Sequence, residues 1–555
     1  LSHIENIAAS LIAAWLALGC NAIAGITEAS PRPASSATGL SGAAGPSSVP
    51  LGGACTTHAQ CLAASGEYDP AACIHGACAK LFTHDCPLAI PLSNNQWLQN
   101  LRSKDAEPFI FGVFSYVQPP NLFGNEVRNY DLALTELTQA VGGLPTANGK
   151  RRPLLAVVCR DPSGDTETLD QEVDHLALDL DVTAVLAGLD ADELEHAFRH
   201  RGYDHDDFYL SPFGAEQNLI DLLDDGLVWN MLGPSTDQIP VYQPLLDRTL
   251  AHLRAQGTLG QDEPARVALV TARDVRAFSD LSDGLIAAPL TFNGRSASDN
   301  APDHFLAVDI TSASHSLSRL SGTDTIAKTP DYSGAIQSLH DFRPHVVISA
   351  ATSEFVDDIV PLLETSGLDI KPTYLLSFWS YNQGSLQTLV APPPPTDLST
   401  RILGVNYAAA PDQSVYDAYL GRFKAAYRNT PPAAGYENHY DTAYFLAFAA
   451  VGAGMGESIG GHDMVRGMRR LLSGSTELEV GPGEANSVLL ALATPETSIQ
   501  LDGAMGPPNF DTTTGVRHSP GSVWCIDAGG NFLADVLTLD PTGALVGTVP
   551  SSCGF

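Results

Sequence analysis

Positive charge is scarce in this chain. Its 555 residues include 29 Lys and Arg against 63 Asp and Glu, a formal net charge of −34 with His neutral. Nucleic-acid backbones and anionic lipid surfaces are gripped by basic patches, so neither is an expected partner. Long apolar runs are missing as well, and none reaches the ~20 residues that a membrane-spanning helix needs. There is no GxSxG nucleophile elbow, no HExxH zinc helix and no GxxxxGKS or GxxxxGKT phosphate loop. Paired CxxC spacing, the usual mark of structural zinc, is also absent. With no nucleophile, metal or phosphate signature, the expectation is a chain that is not an enzyme and takes no cofactor or metal. No repeat of solenoid period is present.

What is there begins with apolar content. Hydrophobic residues make up 44%, ample for buried cores, and the length suits two to four domains at ~100–200 residues each. Residues 7–18 (IAASLIAAWLAL) form an apolar stretch of signal-peptide length. It runs into Leu16-Ala17-Leu18-Gly19-Cys20, which resembles the bacterial lipobox. That resemblance implies a signal peptide over 1–19 and a lipid on Cys20; the alternative is a buried helix with an incidental cysteine. Residues 28–50 (EASPRPASSATGLSGAAGPSSVP) are rich in Pro, Ser, Ala and Gly. Such composition reads as a flexible tether, taken here as 20–52.

The chain has nine Cys. With Cys20 set aside for lipid, 9 − 1 leaves an even eight. Cys55, Cys61, Cys73, Cys78 and Cys86 cluster, Cys159 follows a strand-like run, and Cys525 and Cys553 lie near the C-terminus. A small disulfide-stapled module over 53–106, in an oxidising compartment, fits this usage. Sequence alone does not fix connectivity. The expected arrangement has two pairs within 55–78, Cys86 with Cys159, and Cys525 with Cys553.

From about residue 107 strands and helices alternate. Apolar runs at 109–114, 154–158, 184–187, 267–270, 346–349 and 374–377 read as buried strands. Helical spacing occupies 125–141, 168–180, 241–256, 332–342 and 354–366. Strands separated by helices imply βαβ units and parallel sheets, and two such sets imply two similar α/β lobes. Residues 402–407 are strand-like and are read as the start of the return to lobe one. A hairpin turning at Gly529-Gly530 is expected near the end.

Four stretches carry a family resemblance. They are Ala140-Val-Gly-Gly-Leu-Pro-Thr-Ala-Asn-Gly149; Asp331-Tyr332-Ser333 with Leu339 and Pro344-His-Val-Val347; Tyr436 with Tyr440-Asp-Thr-Ala-Tyr444; and Gly503-Ala-Met-Gly506 with Phe510-Asp511 and Gly515. Their order and spacing resemble the type I periplasmic binding proteins, in the branched-chain amino acid (Leu/Ile/Val) branch of ABC transport. The resemblance implies two doubly wound lobes joined by hinge crossings, lobe one being 107–239 with 405–520 and lobe two 240–404 with 521–555. It implies a ligand captured in the interlobe cleft, with hinge closure signalling to permease subunits.

The same resemblance places Ser115, Tyr116, Asp190 and Phe213 at the cleft from lobe one. It places Phe278, Thr352, Trp379 and Tyr381 there from lobe two, within stretches that include Asp274 to Phe278, and Tyr436 from the return segment. Amino acid binders in this family hold the ligand carboxylate with Ser/Thr hydroxyls and backbone N–H groups after the third and fourth strands. This chain has Leu189, Asp190, Pro212 and Phe213 there, so a neutral, aromatic or cationic ligand is as well accommodated as leucine.

Other constellations fit less well. His200, Asp204, His205, Asp206 and Asp207 could bind a divalent cation, but a solvated acidic turn is the expected role. Gly452-Ala-Gly-Met-Gly456 follows a helix instead of opening one, so it is no nucleotide fingerprint. Gly233-Pro-Ser235 has no evident His partner, and His340 and His345 are expected at the surface. The reading that results is a lipid-anchored, extracytoplasmic solute-binding protein of the bacterial envelope. The alternative is a surface or sensory lipoprotein that binds a protein partner with the same fold.

Overall fold

Phe109–Ser115 ends in its one polar residue and is buried along nearly its whole length. A run with both faces covered belongs in the middle of a sheet, and in the computed structural model it lies between Leu154–Arg160 and Ala184–Ala187, parallel to both. Residues 49–555 are described, except 66–69, 103–106, 116–123, 147, 163–164, 215, 288–289, 313–329, 353, 381–382, 391–396, 408–413, 429–435, 455–458, 520, 552 and 554–555. Cys20, the signal-peptide segment, Tyr116 and Tyr381 therefore lie outside the described residues.

Among the described residues there are two eight-stranded sheets. In the first, the parallel strands run in the order Leu154–Arg160, Phe109–Ser115, Ala184–Ala187, Phe208–Gly214, Val228–Leu232. In the second they run Phe305–Ile310, Val267–Ala272, Val346–Ala350, Thr373–Leu376, Ile402–Tyr407. Both sheets thus have a second-first-third-fourth-fifth strand order, and each covers its own apolar core. This order has a switch point beside the first strand, and strand C-termini there open a crevice. The expected two-lobe α/β architecture is present.

Ile402–Tyr407 corrects the lobe-one boundary at 405. It pairs in parallel with Thr373–Leu376 and antiparallel with Gly521–Ile526, so all of it belongs to the second sheet. The chain crosses back only after Tyr407, whose hydroxyl donates to the Gly233 carbonyl at the first crossing (2.9 Å). Sequence periodicity marks a strand without saying which sheet takes it. The expected hairpin is Gly521–Ile526 against Phe532–Leu539, turned by Asp527, whose carboxylate accepts from the Gly529 and Asn531 amides.

The Cys-rich segment is less separate than its composition suggests. Ala71–Ile74 and Ala77–Lys80 form a hairpin stapled by Cys55–Cys73 and Cys61–Cys78. Leu88–Ile90, however, is the antiparallel edge strand of the first sheet, and Cys86 is bonded to Cys159 in the neighbouring strand. The Gly452 segment also has a structural role. A Cβ on Gly452 would lie 2.9 Å from Gly467 Cα, and one on Gly467 would lie 1.9 Å from the Ala449 carbonyl oxygen. Helices Glu437–Ala453 and Gly461–Arg469 touch backbone to backbone, which only glycine permits.

Candidate functional site

Six cleft residues arrive where parallel strands end. Asp161 follows the second strand of lobe one, Asp190 its third, and Phe213 closes its fourth. In lobe two Phe278 sits in the turn of helix beyond the first strand, Thr352 follows the third, and Trp379 the fourth. Phe213 was expected in the loop after the fourth strand; it belongs to the strand itself, which is irregular where it pairs with Val228–Leu232. These residues line one cavity of about 170 Å³ between the lobes. Sequence reasoning named five of its lining residues: Asp190, Phe213, Phe278, Thr352 and Trp379.

Two named residues are elsewhere. Ser115 is fully buried and its hydroxyl donates to Glu126 (2.8 Å), outside the cavity lining. Tyr436 stands one ring back: its ring lies 5.7 Å from His439, which lies 5.3 Å from Phe213. Aromatic contact continues across the cleft, with Phe213 and Trp379 centroids 5.9 Å apart, and on within lobe two, with Phe278 and Trp379 6.2 Å apart. The lobes are also clasped by an ion pair, Arg276 Nε to Asp192 Oδ1 at 2.5 Å.

Asp190 has a local role that its sequence signals. Asp190-Ala-Asp-Glu193 is a capping box: the Asp190 carboxylate accepts from the Asp192 and Glu193 amides, both 2.9 Å, and Glu193 accepts from the Asp190 amide at 3.3 Å. The acid is turned onto its own helix. Glu193, Glu216 and Asp161 were not named as ligand-facing. Arg276 falls within the stretch assigned to the cleft, whereas nothing local marks Glu216.

Glu216 answers the question of Ser235. The Ser235 amide and hydroxyl donate to its two carboxylate oxygens at 3.1 and 2.9 Å. Burial pushes the Glu216 carboxyl up to about 7, the charges of Asp280 and Asp237 add to the rise, and the Ser235 donors oppose it. Glu172, on the helix Thr166–Asp174, is 1% exposed with no hydrogen-bond partner on either oxygen. Burial, then the charges of Asp85 and Asp161, raise its carboxyl to about 10 despite Arg160.

Glu216 carries a pH signature. Its folded pKa lies above the ordinary value of 4.5, so the folded state holds a proton that the unfolded chain has released. This contribution to stability is complete below about 4.5, is lost as pH rises towards 7, and is flat above. Glu216→Gln keeps an acceptor for the Ser235 amide and removes the charge. The variant is expected to be more stable than the parent by ~1–3 kcal/mol at pH 8 and near parity at pH 4.5. Urea midpoints at the two pH values check this; an equal difference at both would remove Glu216 as the cause.

The 200–207 run is only in part the solvated turn expected, with Asp204 exposed. Asp207 is 1% exposed, His205 contacts it at 2.8 Å, and His200 bridges to Asp170 (3.2 Å) and Asp174 (3.1 Å). Apart from Asp204, the charged side chains of the run pair within the fold. His345 is likewise buried, with Nδ1 accepting from the Arg266 amide, because it opens a central strand; His340 stays partly exposed. Among the described residues, the one cluster with metal-ligand geometry is Cys55, Cys61 and Cys73, whose sulfurs are already in disulfides.

No protein-family model and no curated protein matches the chain. Solved structures do. The branched-chain amino acid transporter substrate binding protein LivJ from Streptococcus pneumoniae, solved with isoleucine, aligns at TM-score 0.54 and 12% identity, over 78% of this chain and 100% of that one. The leucine binding protein LivK of Thermotoga maritima aligns at 0.52 and 13%, over 78% and 99%. An amino acid ABC transporter substrate-binding protein of Pseudomonas fluorescens aligns at 0.52 and 13%, over 81% and 99%. The fold is that of the two-lobed periplasmic binding proteins. At these identities the likeness is one of fold. Among the described residues, no helix is long and apolar enough to cross a membrane.

Proposed function

We propose that this chain is an extracytoplasmic solute-binding protein, held at the bacterial envelope by lipid on Cys20, that captures a small molecule between its lobes and presents it to ABC permease subunits. The cavity at the strand C-termini carries this reading. It has free volume, it is walled by both lobes, and an ion pair holds the lobes together across it. Closure around a ligand changes the surface shown to a permease, and no bond need be made or broken. The solved proteins of similar fold are substrate-binding proteins, which supports a binding role over an enzymatic one.

Thermal unfolding of the purified chain against amino acids, amides, aromatic acids, amines and quaternary ammonium compounds tests the proposal. A specific ligand at 100 times its dissociation constant is expected to stabilise the fold by ~2.7 kcal/mol. A uniformly silent panel would count against solute capture and favour the surface or sensory lipoprotein.

A further inference from the structure

Five backbone amides at the mouths of these strands already hold an acceptor from the protein itself. The Asp192 and Glu193 amides bond to the Asp190 carboxylate, and the Asp190 amide bonds to Glu193. The Phe213 amide bonds to Ser211 Oγ at 3.1 Å. In lobe two the Thr352 amide bonds to Glu354 Oε1 at 3.0 Å, and the Thr352 hydroxyl donates to the same carboxylate. These are the groups that would otherwise grip a ligand's carboxylate, and most are filled by the chain's own acids.

The charge on the walls is mainly negative. Asp161, Asp190, Glu193 and Glu216 line the cavity, and Arg276 is the one cationic side chain among its described lining residues. Arg276 is committed to Asp192, with Asp280 and Glu195 also near it. A carboxylate ligand would enter against four acidic side chains, with the Asp190, Asp192, Glu193, Phe213 and Thr352 amides already bonded. The remaining surface is aromatic: Phe213, Phe278 and Trp379 meet edge to face and present ring surface to the space between. Rings backed by carboxylates attract an organic cation through its charge and through its methyl or methylene surface together.

From this geometry we infer that the cleft takes a small organic cation without an acid group, of the quaternary-ammonium kind, and excludes amino acids and aromatic acids. The inference rests on the solute-binding reading and specifies its ligand class.

Calorimetric titration of the full chain with choline, with its uncharged carbon analogue 3,3-dimethyl-1-butanol, with leucine and with benzoate tests it. Choline is expected to bind, and the analogue to bind about tenfold more weakly or worse, because the two differ only in charge. Glu216→Gln, which keeps its contact with Ser235, and Trp379→Leu are each expected to weaken choline about tenfold and to leave the analogue nearly unchanged. Circular dichroism of both variants verifies folding. Equal affinity for choline and its analogue would reduce the cleft to an apolar hole and overturn the inference. Binding of leucine or benzoate in preference to choline would overturn it while leaving solute capture standing. Silence from all four would overturn it, and a silent wider panel as well would remove solute capture too.

Discussion

Glu136→Ala is expected to lower the unfolding free energy by about 3–5 kcal/mol, the usual cost of stranding one partner of a buried charge pair. Glu136 lies on the helix Asn125–Val141 and is 7% exposed. It accepts from the Tyr440 hydroxyl at 2.5 Å, the Tyr444 hydroxyl at 2.9 Å and Arg422 Nε at 2.9 Å. Arg422 also donates to the Tyr440 hydroxyl at 2.9 Å, so one carboxylate joins three helices of lobe one. Truncation leaves a half-buried guanidinium and two buried hydroxyls without their acceptor. Glu136→Gln, which keeps an acceptor and loses the charge, is expected to cost about 1–2 kcal/mol. Guanidinium titrations of both variants supply the comparison. An Ala variant within 1 kcal/mol of the parent would show that water replaces the carboxylate.

The second large effect concerns the disulfide that binds the Cys-rich segment to lobe one. Cys86 and Cys159 are separated by 73 residues and both are fully buried. In the loop-entropy account, opening a loop of that size costs about 4.4 kcal/mol. Cys55 and Cys73, 18 residues apart, are worth about 3 kcal/mol in the same account. The two losses differ in reach. The double variant Cys86→Ala with Cys159→Ala frees an edge strand hydrogen-bonded to the first sheet and is expected to lower the main unfolding transition. The variant Cys55→Ala with Cys73→Ala is expected to loosen the hairpin, with the main transition nearly in place. Differential scanning calorimetry, with hydrogen exchange at the hairpin, separates the cases. The opposite ranking would mean that the hairpin is integral to lobe one.

Much of the fold was legible because strands buried on both faces leave an unbroken apolar run. The runs at 109–114, 154–158 and 184–187 match strands Phe109–Ser115, Leu154–Arg160 and Ala184–Ala187. The helix read over 125–141 matches Asn125–Val141, whose end is fixed by Gly142 at φ 72°. Partner choice was not legible. Nothing in Ile402–Tyr407 says that it completes the second sheet, and nothing in Leu88–Ile90 says that it edges the first. The site divides the same way. The family resemblance placed positions after strand ends at the cleft, so Asp190, Thr352 and Trp379 were in hand. Glu216 lies beyond a strand end but acquires its character from Ser235, 19 residues away, and from burial.

Taken alone, the sequence determined that this chain would build alternating α/β lobes, because periodicity and apolar run length are local properties of a polypeptide. It also determined the acidic balance and the supply of cysteines. Only the tertiary structure decided which carboxylates meet in the cleft, which amides they consume, and that Arg276 is paired off against Asp192. Those outcomes depend on distances between residues far apart in the chain, and a hydrogen bond or ion pair exists only once packing has brought its two ends within reach.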